Sequence, residues 1–164
     1  MKKLTAPVIG AITAAAMIGL QLVAYYVLHL PLEHNFNFVV YGVFTLGVVA
    51  AILNYQHKTE EPAKLKHYFN QGFKAFATVA FIMAIYTFIF FTYNTAFRDT
   101  RIAENTQLII KEGNHTPQEI ANNEAQLRKL FMPIMVSSAI FRHLILGALV
   151  SLITAGLKSH RSNA

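Results

Sequence analysis

One predominantly apolar stretch, Met132–Leu157, constrains this chain more than any other feature. At about 1.5 Å per residue, a helix of this length exceeds the roughly 30 Å hydrocarbon core of a bilayer. Arg142 and His143 lie inside it. A cation at the membrane centre costs on the order of 2.5–3.5 kcal/mol by insertion scales. Other helices, water or lipid headgroups must therefore accommodate Arg142.

Three further apolar segments precede this stretch, at about residues 7–30, 38–55 and 75–97. Charged residues make up only 13% of the chain, about half the share that is usual in soluble proteins. No Asp or Glu lies within any of the four segments. We therefore predict an all-α, polytopic membrane protein with four transmembrane helices, built as a single membrane domain over residues 1–164, with the fourth helix at about 132–157.

The charge distribution predicts how these helices are oriented. The formal charge is +6, and the chain has no Cys. The cations in the two terminal stretches and in the link between the second and third segments are Lys2, Lys3, Lys58, Lys64, Lys66, Lys74, Lys158 and Arg161. Since Lys and Arg in short loops stay in the cytoplasm, we expect both termini there, in a bacterial inner membrane, and no nucleic-acid partner. The first apolar run is nearly twice the length of a signal-peptide core, so we expect it to be retained.

The link between the third and fourth segments, residues 98–131, is long and polar. Gly113 fits the left-handed cap at the end of a helix. Thr116 and Glu119, with Pro117 between them, fit a capping box that begins the next helix. We therefore predict an extracytoplasmic helical hairpin. Each arm is too short to be stable alone, so the arms are expected to pack on each other, on the membrane or on a partner.

Small residues at four-residue spacing predict close contacts between the membrane helices. The residues predicted to provide this packing are Gly10, Gly19, Gly42, Gly47, Gly147 and Ser151. Polar side chains within the segments are candidates for hydrogen bonds between helices. These candidates are Gln21, Tyr86 and His143.

Arg142 has two interpretations. In the structural one, which we favour, it snorkels or donates to helix carbonyls, to Gln21 or to Tyr hydroxyls. In the alternative, it contacts an anion or a lipid phosphate, since a guanidinium matches phosphate with two parallel hydrogen bonds.

The histidines do not predict a metal site. His29, Glu33 and His34 could join His143 on the outer side, but their spacing is loose and matches no metal-binding motif. We predict neither a metal nor a cofactor.

The sequence contains no phosphate-binding glycine loop, nucleophile elbow or metalloprotease motif. We therefore expect a protein that is not an enzyme, namely a scaffold or accessory subunit of a membrane complex. Its expected partners are membrane lipids and either another membrane protein or a second copy. The alternative is a lipid- or anion-binding protein that serves an envelope glycolipid pathway. A small transporter is a weaker alternative, because the spans lack carboxylates and broken helices.

The whole pattern resembles a bacterial four-helix inner-membrane family, domain of unknown function 4199. The resemblance rests on residues 69–74, 85–88, 93–97, 112–113, 116–120 and 146–153, and on Lys158. It covers nearly the whole chain and implies a four-helix membrane fold. It implies no established activity and no catalytic residues.

Overall fold

A computed structural model describes residues 4–29, 36–55 and 64–162 of the chain. These residues form five α-helices: α1 (Ala6–Tyr26), α2 (Asn37–Leu53), α3 (Leu65–Tyr93), α4 (Thr95–Glu112) and α5 (Pro117–Ser162). The all-α prediction is therefore confirmed. Three of them, α1, α3 and α5, are long and apolar enough to cross a membrane, and α2 is apolar but shorter. The apolar helices indicate a membrane protein.

The helix bounds differ most from the predicted segments at α3 and α5. α3 begins at Leu65, ten residues before the predicted third segment, and ends before Asn94. The predicted fourth segment is part of one continuous 46-residue helix, which contains Pro133 in its interior. Several residues used to predict orientation, among them Lys2, Lys3 and Lys58, lie outside the described residues, as do Glu33 and His34.

The chain divides into two compact units. Unit 1 contains the described residues of 1–83 and 140–164, which are α1, α2, the first part of α3 and the last part of α5. Unit 2 contains residues 84–139, which are the end of α3, all of α4 and the beginning of α5.

Within unit 1, helices approach closely where a side chain is absent. A Cβ added at Gly10 would lie 2.5 Å from the backbone oxygen of Ala75, and one at Gly47 would overlap the Thr13 side chain. Thr13 is itself held by a 2.8 Å hydrogen bond from its hydroxyl to the Ile9 carbonyl. These contacts bring α1 against α3 and α2, as small residues at helix crossings allow.

The part of α5 in unit 1 has two opposite faces. One row at four-residue spacing is buried: His143, Gly147, Ser151 and Ala155. A Cβ at Gly147 would overlap the Phe76 ring, and one at Gly72 would overlap the Ser151 hydroxyl. The other row, which we call the α5 ridge, is exposed: Ile145, Leu149, Ile153 and Leu157. The two rows differ by two residues, or about 200° around the helix, so only the first packs on α3.

α5 also completes the C-terminal end of α2. Lys158 Nζ donates to the Leu53 carbonyl at 2.8 Å and to the Ile52 carbonyl at 3.5 Å, and it lies over the Tyr68 ring at 5.4 Å. The last carbonyls of a helix have no partner within the helix and carry partial negative charge. The ammonium group of Lys158 therefore acts as the C-terminal cap of α2.

Unit 2 contains the helix ends that the sequence of the polar link predicts. α3 ends before Asn94, where the backbone leaves the helical conformation at φ −100° and ψ 63°, while the Asn94 N–H and side-chain amide both donate to the Phe90 carbonyl at 2.9 Å. Gly113 ends α4 at φ 70°, as predicted. The Thr116 N–H donates to a Glu119 carboxylate oxygen at 2.7 Å, and the Glu119 N–H donates back to the Thr116 hydroxyl at 3.3 Å. The predicted capping box is therefore confirmed.

The two polar helical segments of unit 2 are joined by one ion pair. Arg128, on α5, donates to Asp99 of α4 at 2.9 Å and to Glu124 of its own helix at 3.3 Å. These two carboxylates raise the pKa of Arg128 further, with Glu124 contributing most. Also within unit 2, Ile102 is fully buried, and Phe131 packs against Phe91 with ring centroids 5.1 Å apart.

Candidate functional site

The candidate site is the contact between Arg142 of α5 and Tyr41 of α2, in unit 1. A guanidinium N–H of Arg142 donates to the Tyr41 hydroxyl at 2.8 Å. Among the described residues, Tyr41 is its only hydrogen-bond partner, and none of their carboxylates forms an ion pair with it. The Arg142 side chain is exposed. Since a guanidinium has five N–H donors, most of them remain available to a ligand.

His143, the next residue, fixes this part of α5 against α2. It is only 4% exposed, and its ring packs edge-on against Phe44, with centroids 5.3 Å apart. The ring also lies 6.3 Å from that of Tyr41. Neighbouring residues on a helix point about 100° apart, so burial of His143 turns Arg142 toward the edge of the α2 contact. His143 therefore orients Arg142 and is not itself part of the exposed surface.

Arg142 lies near one end of α2. Tyr41 is four residues after Asn37, the first residue of α2, which is about 6 Å along the axis. α2 has 17 residues, or about 25 Å, which is less than the hydrocarbon core of about 30 Å. The guanidinium is thus within about one turn of the place where the chain enters α2.

The chemistry of this arrangement is recognition of an anion. A guanidinium that lacks a carboxylate partner can donate two parallel hydrogen bonds to phosphate, and it stays charged at any physiological pH. The Tyr41 hydroxyl accepts one N–H and so orients the plane of the remaining donors. Arg142 itself acts as a fixed positive charge, because an arginine does not release its proton.

The other predicted polar residues lie elsewhere. Gln21 is half-buried on α1 of unit 1. Tyr86 belongs to unit 2, where its ring packs on that of Phe90 with centroids 5.7 Å apart. Of the two candidates in unit 1, Gln21 and His143, the described contacts connect His143 to the α2 helix that holds Arg142.

The predicted packing residues separate into two groups. Gly10, Gly47, Gly147 and Ser151 lie at the close helix contacts described above. At Gly19 and Gly42, an added Cβ would meet no atom of the described residues within 4 Å outside the local backbone. Both glycines are exposed.

Sequence reasoning missed Tyr41, because its role depends on a contact with a residue 101 positions later. It also missed Gly72, which provides the space for Ser151. The available signal for Tyr41 was a hydroxyl near the start of a short apolar helix, where tyrosines are common at membrane interfaces. Of the metal candidates, Glu33 and His34 lie outside the described residues. Among the described residues, no group of three His, Cys, Asp or Glu side chains is arranged to hold a metal ion.

Comparison with known proteins gives one match. No curated protein and no solved structure matches the chain. The family described as "Protein of unknown function (DUF4199)" matches residues 8–158, as the sequence resemblance predicted, and the chain therefore belongs to this family.

Proposed function

We propose that this protein is a non-enzymatic membrane protein that binds an anionic group through Arg142. The observation that carries the proposal is an exposed guanidinium whose one described partner is a neutral hydroxyl, on a helix that is otherwise apolar around it. The structural interpretation of Arg142 accounts for the bond to Tyr41. It does not account for the donors that this bond leaves available.

The proposed setting is a bacterial inner membrane crossed by α1, α2, α3 and α5, with both termini in the cytoplasm. The described cations Lys64, Lys66, Lys158 and Arg161 support this orientation, since they would all lie on the cytoplasmic side. The polar link formed by α4 and the beginning of α5 would be an extracytoplasmic hairpin. The ion pair between Arg128 and Asp99 supports packing of its two arms.

The orientation can be tested by labelling single cysteines, because the chain has none of its own. In intact cells, Glu119→Cys should react with a membrane-impermeant maleimide, and Lys64→Cys should react only after the cells are opened. Equal reactivity of the two positions from the outside would contradict the four-helix crossing.

Anion binding can be tested by native mass spectrometry of protein released from membranes. The unmodified protein should retain phosphate-bearing ligand, and Arg142→Gln should lose it. Lys74→Gln removes a different exposed cation and should have no effect. Arg142→Lys keeps the charge without the planar fork and should retain less ligand than the unmodified protein. Equal retention by Arg142→Gln, with its helix content preserved, would refute the proposal.

A scaffold or accessory subunit is the second candidate. It is favoured by α4, which is too polar to be a candidate span and still has Leu108 60% exposed and Ile110 45% exposed. A partner subunit, or a second copy, could cover these side chains. A photocrosslinker on Leu108→Cys should then trap a partner in native membranes, and the same label on Asn114→Cys, in the exposed turn, should not. Absence of any crosslinked product at Leu108 would rule out this role for α4.

A further inference from the structure

We infer that Arg142 and the α5 ridge together bind one anionic phospholipid, with the phosphate on the guanidinium and an acyl chain along the ridge. The inference rests on the proposed anion-binding function and names its ligand. A soluble anion would need Arg142 alone, whereas a lipid also needs an apolar surface that begins beside it.

The ridge provides that surface. Ile145, Leu149, Ile153 and Leu157 are between 54% and 68% exposed. On an α-helix, residues that follow Arg142 by 3, 7, 11 and 15 positions lie within about 60° of its direction. The exposed aliphatic row therefore starts next to the guanidinium and continues on the same face of α5.

The ridge is at least as long as one leaflet of a membrane. From Ile145 to Leu157 the helix rises about 18 Å, and half of a hydrocarbon core is about 15 Å. Arg142 lies at the beginning of this row, near the N-terminal end of α2, where it donates to Tyr41. Charge and apolar length are thus arranged in the order found in a phospholipid, with the phosphate first and the acyl chain below it.

Burial on the opposite face explains why the ridge stays uncovered within the protein. His143, Gly147, Ser151 and Ala155 occupy the face that packs on the other helices of unit 1. Since these residues fix the rotation of α5, the ridge and Arg142 are held outward together. Lys158 ends the row at the other side and is engaged by the C-terminus of α2, so it leaves Arg142 as the cation that selects the headgroup.

The test uses the absence of Trp from the chain. A single reporter, Leu149→Trp, is placed in the ridge, and a matched reporter, Leu46→Trp, is placed on an equally apolar and 69% exposed position of α2. Full-length protein is reconstituted in vesicles of phosphatidylcholine and phosphatidylglycerol, and one lipid at a time carries brominated acyl chains that quench Trp fluorescence.

We expect Leu149→Trp to show a relative binding constant for phosphatidylglycerol over phosphatidylcholine of about fivefold, from about 1 kcal/mol per basic residue near a membrane surface. Leu46→Trp should show no preference. Adding Arg142→Gln to the ridge reporter should abolish the preference, Arg142→Lys should reduce it, and Lys74→Gln should leave it intact.

The two sources of phosphate give different results. Equal quenching by both lipids at Leu149→Trp, together with Arg142-dependent binding of inorganic phosphate, would show that the site takes a soluble anion. That result would overturn this inference while leaving the proposed function standing. Absence of both lipid preference and Arg142-dependent phosphate binding would refute the inference and the proposed function together.

Discussion

Replacing Gly147 by Ala tests the register between α3 and α5, on which the orientation of Arg142 depends. The added Cβ would overlap the Phe76 ring and lie 2.5 Å from the Phe76 Cβ, which is closer than real Cβ contacts. Phe76 is 3% exposed, so its ring has no free space into which to turn. Overpacking of this kind costs about 1–3 kcal/mol.

Gly42→Ala is the matched control. It makes the same chemical change within a helix of unit 1, and its Cβ would meet no described atom within 4 Å outside the local backbone. Replacing a glycine within a helix by alanine stabilises by about 0.5–1 kcal/mol when nothing clashes. The two variants should therefore differ in opposite directions from the unmodified protein.

The assay is thermal unfolding in detergent, followed by helical circular dichroism and by the monodisperse fraction that remains after heating. At about 2–4 °C per kcal/mol for a chain of this size, Gly147→Ala should lower Tm by several degrees and Gly42→Ala should raise it slightly. Phe76→Leu should partly restore Gly147→Ala, with a coupling of about 0.5–3 kcal/mol. Equal Tm values for the two alanine variants, or no coupling with Phe76, would refute the packing argument.

Three further predictions concern caps and buried groups. Lys158→Met should destabilise the protein by about 1 kcal/mol through loss of the α2 cap, and Lys158→Arg should keep most of it, as measured by Tm. Ser151 is fully buried, and its hydroxyl has no hydrogen-bond partner among the described residues. Ser151→Ala should therefore leave Tm unchanged or raise it, whereas Ser151→Val should lower Tm because the larger side chain would crowd Gly72. Glu119 lies well before the predicted fourth segment, and its pKa is lowered chiefly by the hydrogen bond from the Thr116 N–H. The capping contribution of Glu119 is therefore fully present above its ordinary pKa of 4.5 and is lost as pH falls through the lowered pKa. The protection factor of the Thr116 amide against hydrogen exchange, which corrects for the intrinsic pH dependence of exchange, should fall over that acidic range, and Glu119→Gln should remove this fall.

The parts of the fold that sequence predicted well are those set by neighbouring residues. Gly113 and the pair Thr116 and Glu119 define the end of one helix and the beginning of the next through contacts three residues apart or fewer. The apolar segments likewise coincide with apolar parts of α1, α2, α3 and α5, because length and composition are local properties. These features need no knowledge of how the helices pack.

The features that sequence could not predict depend on packing between distant helices. Nothing near Arg142 in the chain indicates Tyr41, because the pairing follows from how α5 is rotated against α2. The early start of α3 is not evident in the sequence, because residues 65–74 mix polar and apolar side chains, a pattern that predicts a link. The end of α3 coincides with a non-helical backbone conformation at Asn94, φ −100° and ψ 63°, which the sequence does not indicate.

Unit 1 is discontinuous along the chain, and this sets an order for its biosynthesis. Its first three helical segments emerge from the ribosome well before residues 140–158, which supply the partner of Tyr41 and the cap of α2. Until then, α1, α2 and α3 of the nascent chain cannot complete their packing. Final assembly is therefore a late event that follows translation of α5. If translation stops before α5 is made, the incomplete chain keeps exposed helix faces that quality-control proteases can recognise.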